Sequence, residues 1–214
     1  MQATHSKSKK TVTQTFRIDH DVQETLSSEA KNQRVSLNTL VSNVLNDYAF
    51  YGRVAERYRA LRLSATTIGA FLEVISDEDM GRAGSKTGHK HPAELLSALG
   101  VAVTVDNLVK ALEEIYLRHL RWFDHCMVIK RNTWEIHLKH GFGQKWSIWL
   151  SEYFSSMFEE AGFRRMEPTV VDRTYTTLHF QPLPPYTSNF SGVTRRVPPM
   201  TRQGTESLSE TRSD

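Results

Sequence analysis

The sequence predicts an α+β protein whose N-terminal and C-terminal parts follow different plans. Near the N-terminus, a short stretch of alternating apolar and polar residues is followed by two amphipathic helical patterns. Residues 125–180 instead hold two pairs of alternating segments, separated by a strongly aromatic helical pattern. The first plan suits a unit of strand, helix, turn and helix, and the second suits one helix packed on a small sheet.

The alternating stretch covers residues 9–19, and its two sides differ in polarity. One side is apolar apart from Gln14, and the other is polar. The first side holds Val12, Gln14, Phe16 and Ile18, and the second holds Thr11, Thr13, Thr15 and Arg17. A lone strand this short leaves its backbone groups unpaired. Because no partner strand follows nearby in the sequence, we expect the strand to pair outside this segment.

Two helical patterns follow the strand. Asp19 is expected to cap the first helix, Asn32 to end it in a left-handed conformation, and Ser36 to cap the second helix. The apolar stripes are Val22, Leu26 and Ala30 in the first helix and Leu37, Leu40, Val41, Val44, Leu45 and Tyr48 in the second. One copy of this unit, roughly forty residues, buries too little apolar surface to be stable alone. The pattern therefore favours a symmetric dimer with paired strands and a shared four-helix core.

This part of the chain resembles the ribbon-helix-helix DNA-binding proteins of the Arc and MetJ type, from about Lys9 to Tyr51. The resemblance implies that the paired strands enter the major groove of double-stranded DNA and that alternate outward side chains reach the base edges. When the chain is aligned with the family through Phe16, Ile18 and the capping Asp19, the base-reading positions correspond to three residues. They are Thr13, Thr15 and Arg17. The inter-helix turn departs from the family in lacking the glycine often found there.

Two further groups of residues belong to this interpretation. Free backbone amides at the start of the second helix suit a phosphate group, and so does the basic arm before the strand, which has no acidic residue. The expected phosphate contacts are Lys7, Lys9, Lys10, Ser36 and Asn38. The expected dimer core consists of Phe16, Ile18, Val22, Leu26, Leu40, Val41, Val44 and Leu45.

The expected readout has a simple chemical basis. Arg17 offers a fork of donors that fits guanine O6 and N7, whereas a threonine offers a hydroxyl group and a methyl group. One bidentate contact contributes about 1 to 3 kcal/mol of discrimination between bases. On an ordinary amphipathic strand the same side chains would only face solvent. The two helices that follow and the basic arm that precedes favour DNA binding.

Composition limits the class of protein. The 214 residues carry a formal net charge of +3, and 39% of them are hydrophobic, which is enough for a folded core. The single cysteine, Cys126, excludes an internal disulfide framework and favours a reducing compartment. No apolar run reaches membrane-spanning length, and the polar N-terminus does not resemble a secretory signal. We therefore expect a cytoplasmic, nucleoid-associated protein that does not contact a membrane.

The sequence predicts four segments. They are a basic flexible arm at 1–8, the ribbon-helix-helix domain at 9–60, an α+β domain for sensing or oligomerisation at 61–181, and a disordered tail at 182–214. In the third segment, Ser64 and Thr104 are expected to cap helices. Its glycine-containing stretch at 81–92 predicts a flexible polar loop, followed by a short helix over 93–99.

The end of the third segment predicts a small sheet with one helix. Residues 125–130 and 134–139 alternate as a hairpin does. A helix is expected over 146–161, closed by Gly162, with two short strands near 170–171 and 175–180. The expected order is therefore strand, strand, helix, strand, strand.

Two kinds of ligand site are conceivable in this domain. Its aromatic helix could line a pocket for a small ligand, although such residues more often form core. A metal sensor is the sharper alternative, because five candidate ligands lie within a short span: His119, His125, Cys126, His137 and His140. Neighbouring members of this set fall on opposite strand faces or at odd spacings. We therefore predict neither a metal site nor a cofactor.

The sequence does not favour an enzyme. The glycines at 141–143 lack the spacing of a phosphate-binding loop, and Cys126 beside His125 has no evident third catalytic partner. The pattern favours a sequence-specific transcriptional regulator that acts as a homodimer or a higher oligomer on adjacent sites. An antitoxin-like interaction protein is a first alternative, disfavoured because residues 64–180 are expected to fold independently. A non-specific architectural DNA-binding protein is the second.

Overall fold

The computed structural model describes residues 12–57 and 60–184. In these ranges, α-helices combine with one four-stranded antiparallel sheet, which confirms the predicted α+β class. The chain divides into two compact units, with the boundary between Arg53 and Val54. No helix in the described ranges is long and apolar enough to cross a membrane. The expected arm at 1–8 and residues 185–214 of the expected tail lie outside the described residues, whereas Pro182, which the sequence placed in that tail, ends the last strand.

The first unit contains the two expected helices. They are α1 (His20–Asn32) and α2 (Leu37–Asp47), and a π-helical turn follows at Tyr48–Gly52. Ser36 caps α2 as predicted, because its Oγ accepts a hydrogen bond from the Thr39 N–H at 3.0 Å. Asp19 occupies the corresponding position before α1, but its side chain makes no capping hydrogen bond.

The turn between α1 and α2 corrects one expectation. Asn32 stays helical, and the left-handed residue is Arg34, with φ of 56°. The N–H of Val35 donates to the Ala30 carbonyl at 2.9 Å, and the N–H of Arg34 donates to the Lys31 carbonyl at 3.0 Å. These two bonds form a Schellman motif, which satisfies the last helical carbonyls. Position within that motif, and not residue type, decides which residue is left-handed.

Four further helices precede the sheet in the described residues, the first of them spanning the boundary between the two units, and two predicted caps are confirmed. The helices are α3 (Arg53–Arg57), α4 (Ala65–Val74), α5 (Asp77–Ala98) and α6 (Val105–Ala111), and a π-helical turn follows at Leu112–Leu117. Ser64 Oγ accepts from the Thr67 N–H at 3.1 Å, and Thr104 Oγ1 accepts from the Asn107 N–H at 3.3 Å. Both residues therefore begin a helix by satisfying one of its free amides.

The predicted loop at 81–92 is wrong, because these residues lie inside α5, a continuous helix of 22 residues. A Cβ atom on Gly84 would lie 2.5 Å from the carbonyl oxygen of Trp149, and one on Gly88 would lie 2.2 Å from that of Tyr153. The two glycines allow α5 to approach another helix closely and are not turn signals here. The expected short helix at 93–99 is the end of the same α5.

The four strands form two hairpins. They are β1 (His125–Lys130), β2 (Trp134–Lys139), β3 (Phe163–Val171) and β4 (Tyr175–Pro182), and α7 (Gln144–Glu160) connects β2 to β3. The order in the sheet is β1-β2-β4-β3, with antiparallel neighbours throughout. The expected hairpin, helix and closing Gly162 are confirmed. The third strand begins at Phe163, earlier than predicted, and its pairing is irregular between Met166 and Val170.

The core of the second unit lies between α7 and one face of the sheet. In β1 and β2 the buried residues alternate with less buried ones, as expected for a sheet covered on one side. The buried apolar residues of the sheet include Cys126, Val128, Trp134, Ile136, Leu138, Leu178 and Phe180, and α7 contributes Leu150, Tyr153, Phe154, Met157 and Phe158. The rings of Phe158 and Phe180 lie 4.9 Å apart between their centroids. This layer holds α7 and β3 side by side.

Candidate nucleic-acid interface

The implied base-reading residues lie in a segment without regular structure in the single chain. Residues 12–19 belong to no helix or strand, and Thr13, Thr15 and Arg17 are all exposed. A strand requires a hydrogen-bonded partner strand, and the first unit as described offers none. The three side chains are therefore accessible to a ligand, while their arrangement on a ribbon stays a prediction.

The residues assigned to the dimer core are largely open to solvent in the single chain. Phe16 is 62% exposed, and Val44 and Leu45 on α2 are 52% and 50% exposed. Ile18 and Val22 are also exposed, Leu26 and Val41 are half-buried, and Leu40 is buried. Single exposed apolar residues are normal, but so many of them on one small unit indicate a surface that binds a partner.

The start of α2 carries free backbone donors. The N–H groups of Leu37 and Asn38 donate to no group in the described part of the chain, as is usual in a first helical turn. Ser36 already accepts the Thr39 N–H, and Asn38 is exposed. The first turn contains no acidic residue. The N–H groups at this end of α2 can therefore donate to a phosphate oxygen, whereas Lys7, Lys9 and Lys10 lie outside the described residues.

The candidate metal ligands do not meet. Among residues 12–57 and 60–184, no three His, Cys, Asp or Glu side chains are grouped so that they could hold a metal ion. His137 Nδ1 lies 2.9 Å from the Thr177 hydroxyl. Burial raises the pKa of the Cys126 thiol to about 12, and the nearby charge of Glu113 adds to this effect. A thiol that stays protonated is a poor ligand and a poor nucleophile.

A buried histidine–serine pair, which the sequence pattern did not predict, lies at the start of α7. His140 Nε2 lies 2.7 Å from Ser147 Oγ, and the N–H of Phe142 donates to His140 Nδ1 at 3.2 Å. Because Nδ1 accepts, the hydrogen of the neutral ring is on Nε2 and is donated to Ser147. The Ser147 hydroxyl in turn donates to the Asp172 carbonyl. In this tautomer the ring is the donor towards the serine, and the pair links α7 to the sheet.

The same surroundings affect the protonation of His140. Burial lowers its pKa to about 4, because the charged ring loses its hydration, and the negative charge of Asp124 only partly opposes this. Protonation would also place a hydrogen on Nδ1, which already accepts the Phe142 N–H. His140 therefore stabilises the fold in its neutral form.

The aromatic side chains of α7, which the sequence offered as one possible pocket lining, pack against one another. The rings of Trp146 and Trp149 stack with centroids 4.8 Å apart, and those of Trp149 and Tyr153 with centroids 4.9 Å apart. Trp146 Nε1 also donates to the Trp122 carbonyl at 2.8 Å. A cleft of about 360 Å³ does exist in the second unit, but it lies between α7 and β3 and none of these rings lines it.

Comparisons of the chain with protein-family models, with characterised protein sequences and with solved structures give no match. The ribbon-helix-helix resemblance therefore stays a prediction. A functional assignment must come from the residues of this chain and from their geometry.

Proposed function

We propose that this protein is a sequence-specific DNA-binding transcriptional regulator that acts as a homodimer. In this proposal, the segments around Thr13 to Arg17 of two copies pair as a two-stranded ribbon and enter the major groove. The observation that supports it is the exposed apolar face of the first unit. This face holds the residues that a ribbon-helix-helix dimer would bury.

The exposed face extends over the segment before α1 and over α2. Phe16 and Ile18 alternate along the segment, and Val44 and Leu45 lie on the same stripe of α2 as the buried Leu40. Leu40 is buried within one copy, whereas Phe16, Ile18, Val44 and Leu45 are exposed in the unit as described. A second copy provides a matching apolar face by symmetry, because the same patch meets itself in a two-fold dimer.

The polar side of the same segment supports DNA as the ligand. When Phe16 and Ile18 turn towards the shared core, side chains at the alternate positions point away from it. Arg17 then presents its guanidinium group to the groove, where it can form two hydrogen bonds with a guanine. Thr13 and Thr15 offer shorter side chains that suit close approach to bases, including the thymine methyl group.

The start of α2 supports the same orientation. Its free N–H groups at Leu37 and Asn38 face no acidic residue in that turn, and a helix N-terminus attracts anions. One such site on each copy would hold a phosphate of the DNA backbone on each side of the ribbon. Contacts of this kind position the protein but carry no sequence information.

Selection of bound duplexes from a random DNA pool, with the full chain at near-physiological salt, tests the proposal. We expect enrichment of a short site with approximate two-fold symmetry. Binding without enrichment would overturn sequence specificity and favour an architectural protein, whose affinity comes almost wholly from phosphate contacts. Absence of binding would overturn the DNA proposal and favour an antitoxin-like protein that binds another chain.

A further inference from the structure

The cleft of about 360 Å³ lies between one face of α7 and alternate residues of β3. Ile148 and Ser151 on α7 are about one turn apart, so both point to the same side of the helix. Arg165, Glu167 and Val171 belong to β3 and also line the cleft. Its walls therefore combine apolar side chains with charged groups, as small-molecule sites commonly do.

Arg165 is held in place at the cleft with part of its guanidinium group unused. Its Nη1 donates to Glu152 Oε1 at 2.8 Å, and its Nε donates to Thr169 Oγ1 at 3.1 Å. Nη2 makes no hydrogen bond with any described residue. The side chains of Arg165 and Glu152 are only 25% and 33% exposed, so the ion pair is partly shielded from water. The orientation of Arg165 is thus fixed before any ligand binds, which favours binding.

A second unused donor lies in the opposite wall. The hydroxyl of Ser151 is buried and has no hydrogen-bond partner in the described part of the chain. Buried polar groups are nearly always hydrogen-bonded, and an unpaired one is unfavourable. Because Ser151 lines the cleft, a ligand bound there is a candidate partner for this hydroxyl.

Glu167 contributes a negative charge at the open side. One carboxylate oxygen accepts the Thr169 N–H at 2.7 Å, and the other lies 3.9 Å from Arg165 Nε. Its side chain is 76% exposed, so it retains the capacity to accept further hydrogen bonds. The charged residues that line the cleft are Glu152, Glu167 and Arg165, so the cleft carries a net charge of −1.

We propose that this cleft binds a small aliphatic α-amino acid. The ligand carboxylate would accept hydrogen bonds from Arg165 and Ser151, its ammonium group would donate to Glu167, and its side chain would lie against Ile148 and Val171. A simple anion would be repelled by the two glutamates, and a simple amine would leave both unused donors unpaired. A zwitterion suits both sets of groups. This proposal does not depend on DNA binding.

Isothermal titration of the full chain with L-leucine tests the proposal against two matched probes. Isopentylamine lacks the carboxylate, and 4-methylpentanoate lacks the amine. Because each missing group removes a charge-assisted hydrogen bond, we expect both probes to bind at least about tenfold more weakly than leucine. Equal binding by either probe would overturn the zwitterion assignment. Absence of binding by leucine, isoleucine and valine alike would overturn the site.

Substitutions at the cleft locate the binding. Glu167→Gln is exposed and is expected to leave the fold intact while raising the leucine Kd about tenfold. Arg165→Gln combined with Glu152→Gln removes both members of the ion pair, so that neither charge is left buried alone, and it should raise the Kd at least as much. Glu159→Gln, at the exposed end of α7, is the control and should bind normally. Unchanged affinity in both cleft variants would overturn the proposal.

Discussion

Gly88 and Tyr153 bring two helices together backbone to backbone. A Cβ atom on Gly88 would lie 2.2 Å from the Tyr153 carbonyl oxygen, a distance that no side chain tolerates. The close approach also places His91 of α5 beside the Tyr153 ring, where His91 Nδ1 lies 2.6 Å from the phenolic oxygen. Tyr153 in turn lies 2.9 Å from the hydroxyl of Tyr116. One glycine thus allows a chain of three polar groups to form, in which the two tyrosines are buried and His91 is partly buried.

We expect Gly88→Ala to lower the free energy of unfolding by about 1 to 3 kcal/mol, because the new methyl group would force α5 and α7 apart. Chemical denaturation followed by circular dichroism measures the change. Gly81→Ala is the matched control, since its Cβ would meet only ordinary contacts at 3.7 Å and alanine favours a helix by about 1 kcal/mol. If both variants were equally stable, the close contact at Gly88 would be contradicted.

We expect Val44→Glu to prevent dimer formation. The substitution would put an unpaired charge into the shared core, which costs about 3 kcal/mol or more and weakens dimerisation by over about a hundredfold. Sedimentation equilibrium measures the loss. Asn46→Glu adds the same charge on the opposite, exposed side of α2 and should leave the dimer unchanged. A stable Val44→Glu dimer would contradict the proposed interface.

We expect Arg17→Ala to reduce the preference for the selected site over random DNA, with a loss of about 1 to 3 kcal/mol in discrimination. Competition binding with the two kinds of duplex measures it. Arg17→Lys keeps the charge but loses the bidentate geometry, so it should lose specificity and retain random binding. Lys10→Ala should instead weaken both kinds of binding alike and lower the salt dependence. An equal loss on both duplexes for Arg17→Ala would exclude base readout by this residue.

We expect the second unit to lose stability in mild acid because of His140. Its folded pKa is about 4 against an ordinary value of 6.5, so the unfolded chain takes up the proton first. The free energy of unfolding should therefore fall as the pH drops from 6.5 to 4, by up to about 3 kcal/mol. Denaturation of the wild type and of His140→Gln across this range measures the contribution. If the free energies of unfolding of the two proteins fell in parallel as the pH drops, His140 would not be the source of the loss.

Much of the second unit follows from local signals in the sequence. Ser64 and Thr104 cap helices as expected, because a hydroxyl oxygen before an apolar pattern can satisfy a free amide whatever the tertiary structure. The hairpin of β1 and β2 was equally predictable, since its alternation is regular and one face is buried. Each of these features is decided within a few residues of sequence.

The features that the sequence did not reveal depend on neighbours distant in the chain. Glycines such as Gly84 and Gly88 usually indicate a loop. Their place in α5 is explained only by α7, which packs closely against them. The early part of β3 was missed because residues 163–168 do not alternate in polarity, and only Phe163 among them is buried. The α7–β3 cleft has no local signature at all, because its two walls meet only once the sheet has formed.

The strand order also determines how the second unit can be assembled. Each hairpin pairs strands that are close in sequence, but β2 and β4 meet only across α7 and β3. During synthesis on the ribosome, β2 can therefore pair with β1 at once, but its other edge stays unpaired until β4, the last strand of the sheet, has been made. Such non-local pairing is slow to form, and an unpaired edge can associate with other nascent chains. Aggregation therefore competes with folding of this unit most strongly at the boundary between the two hairpins, where β2 must pair with β4.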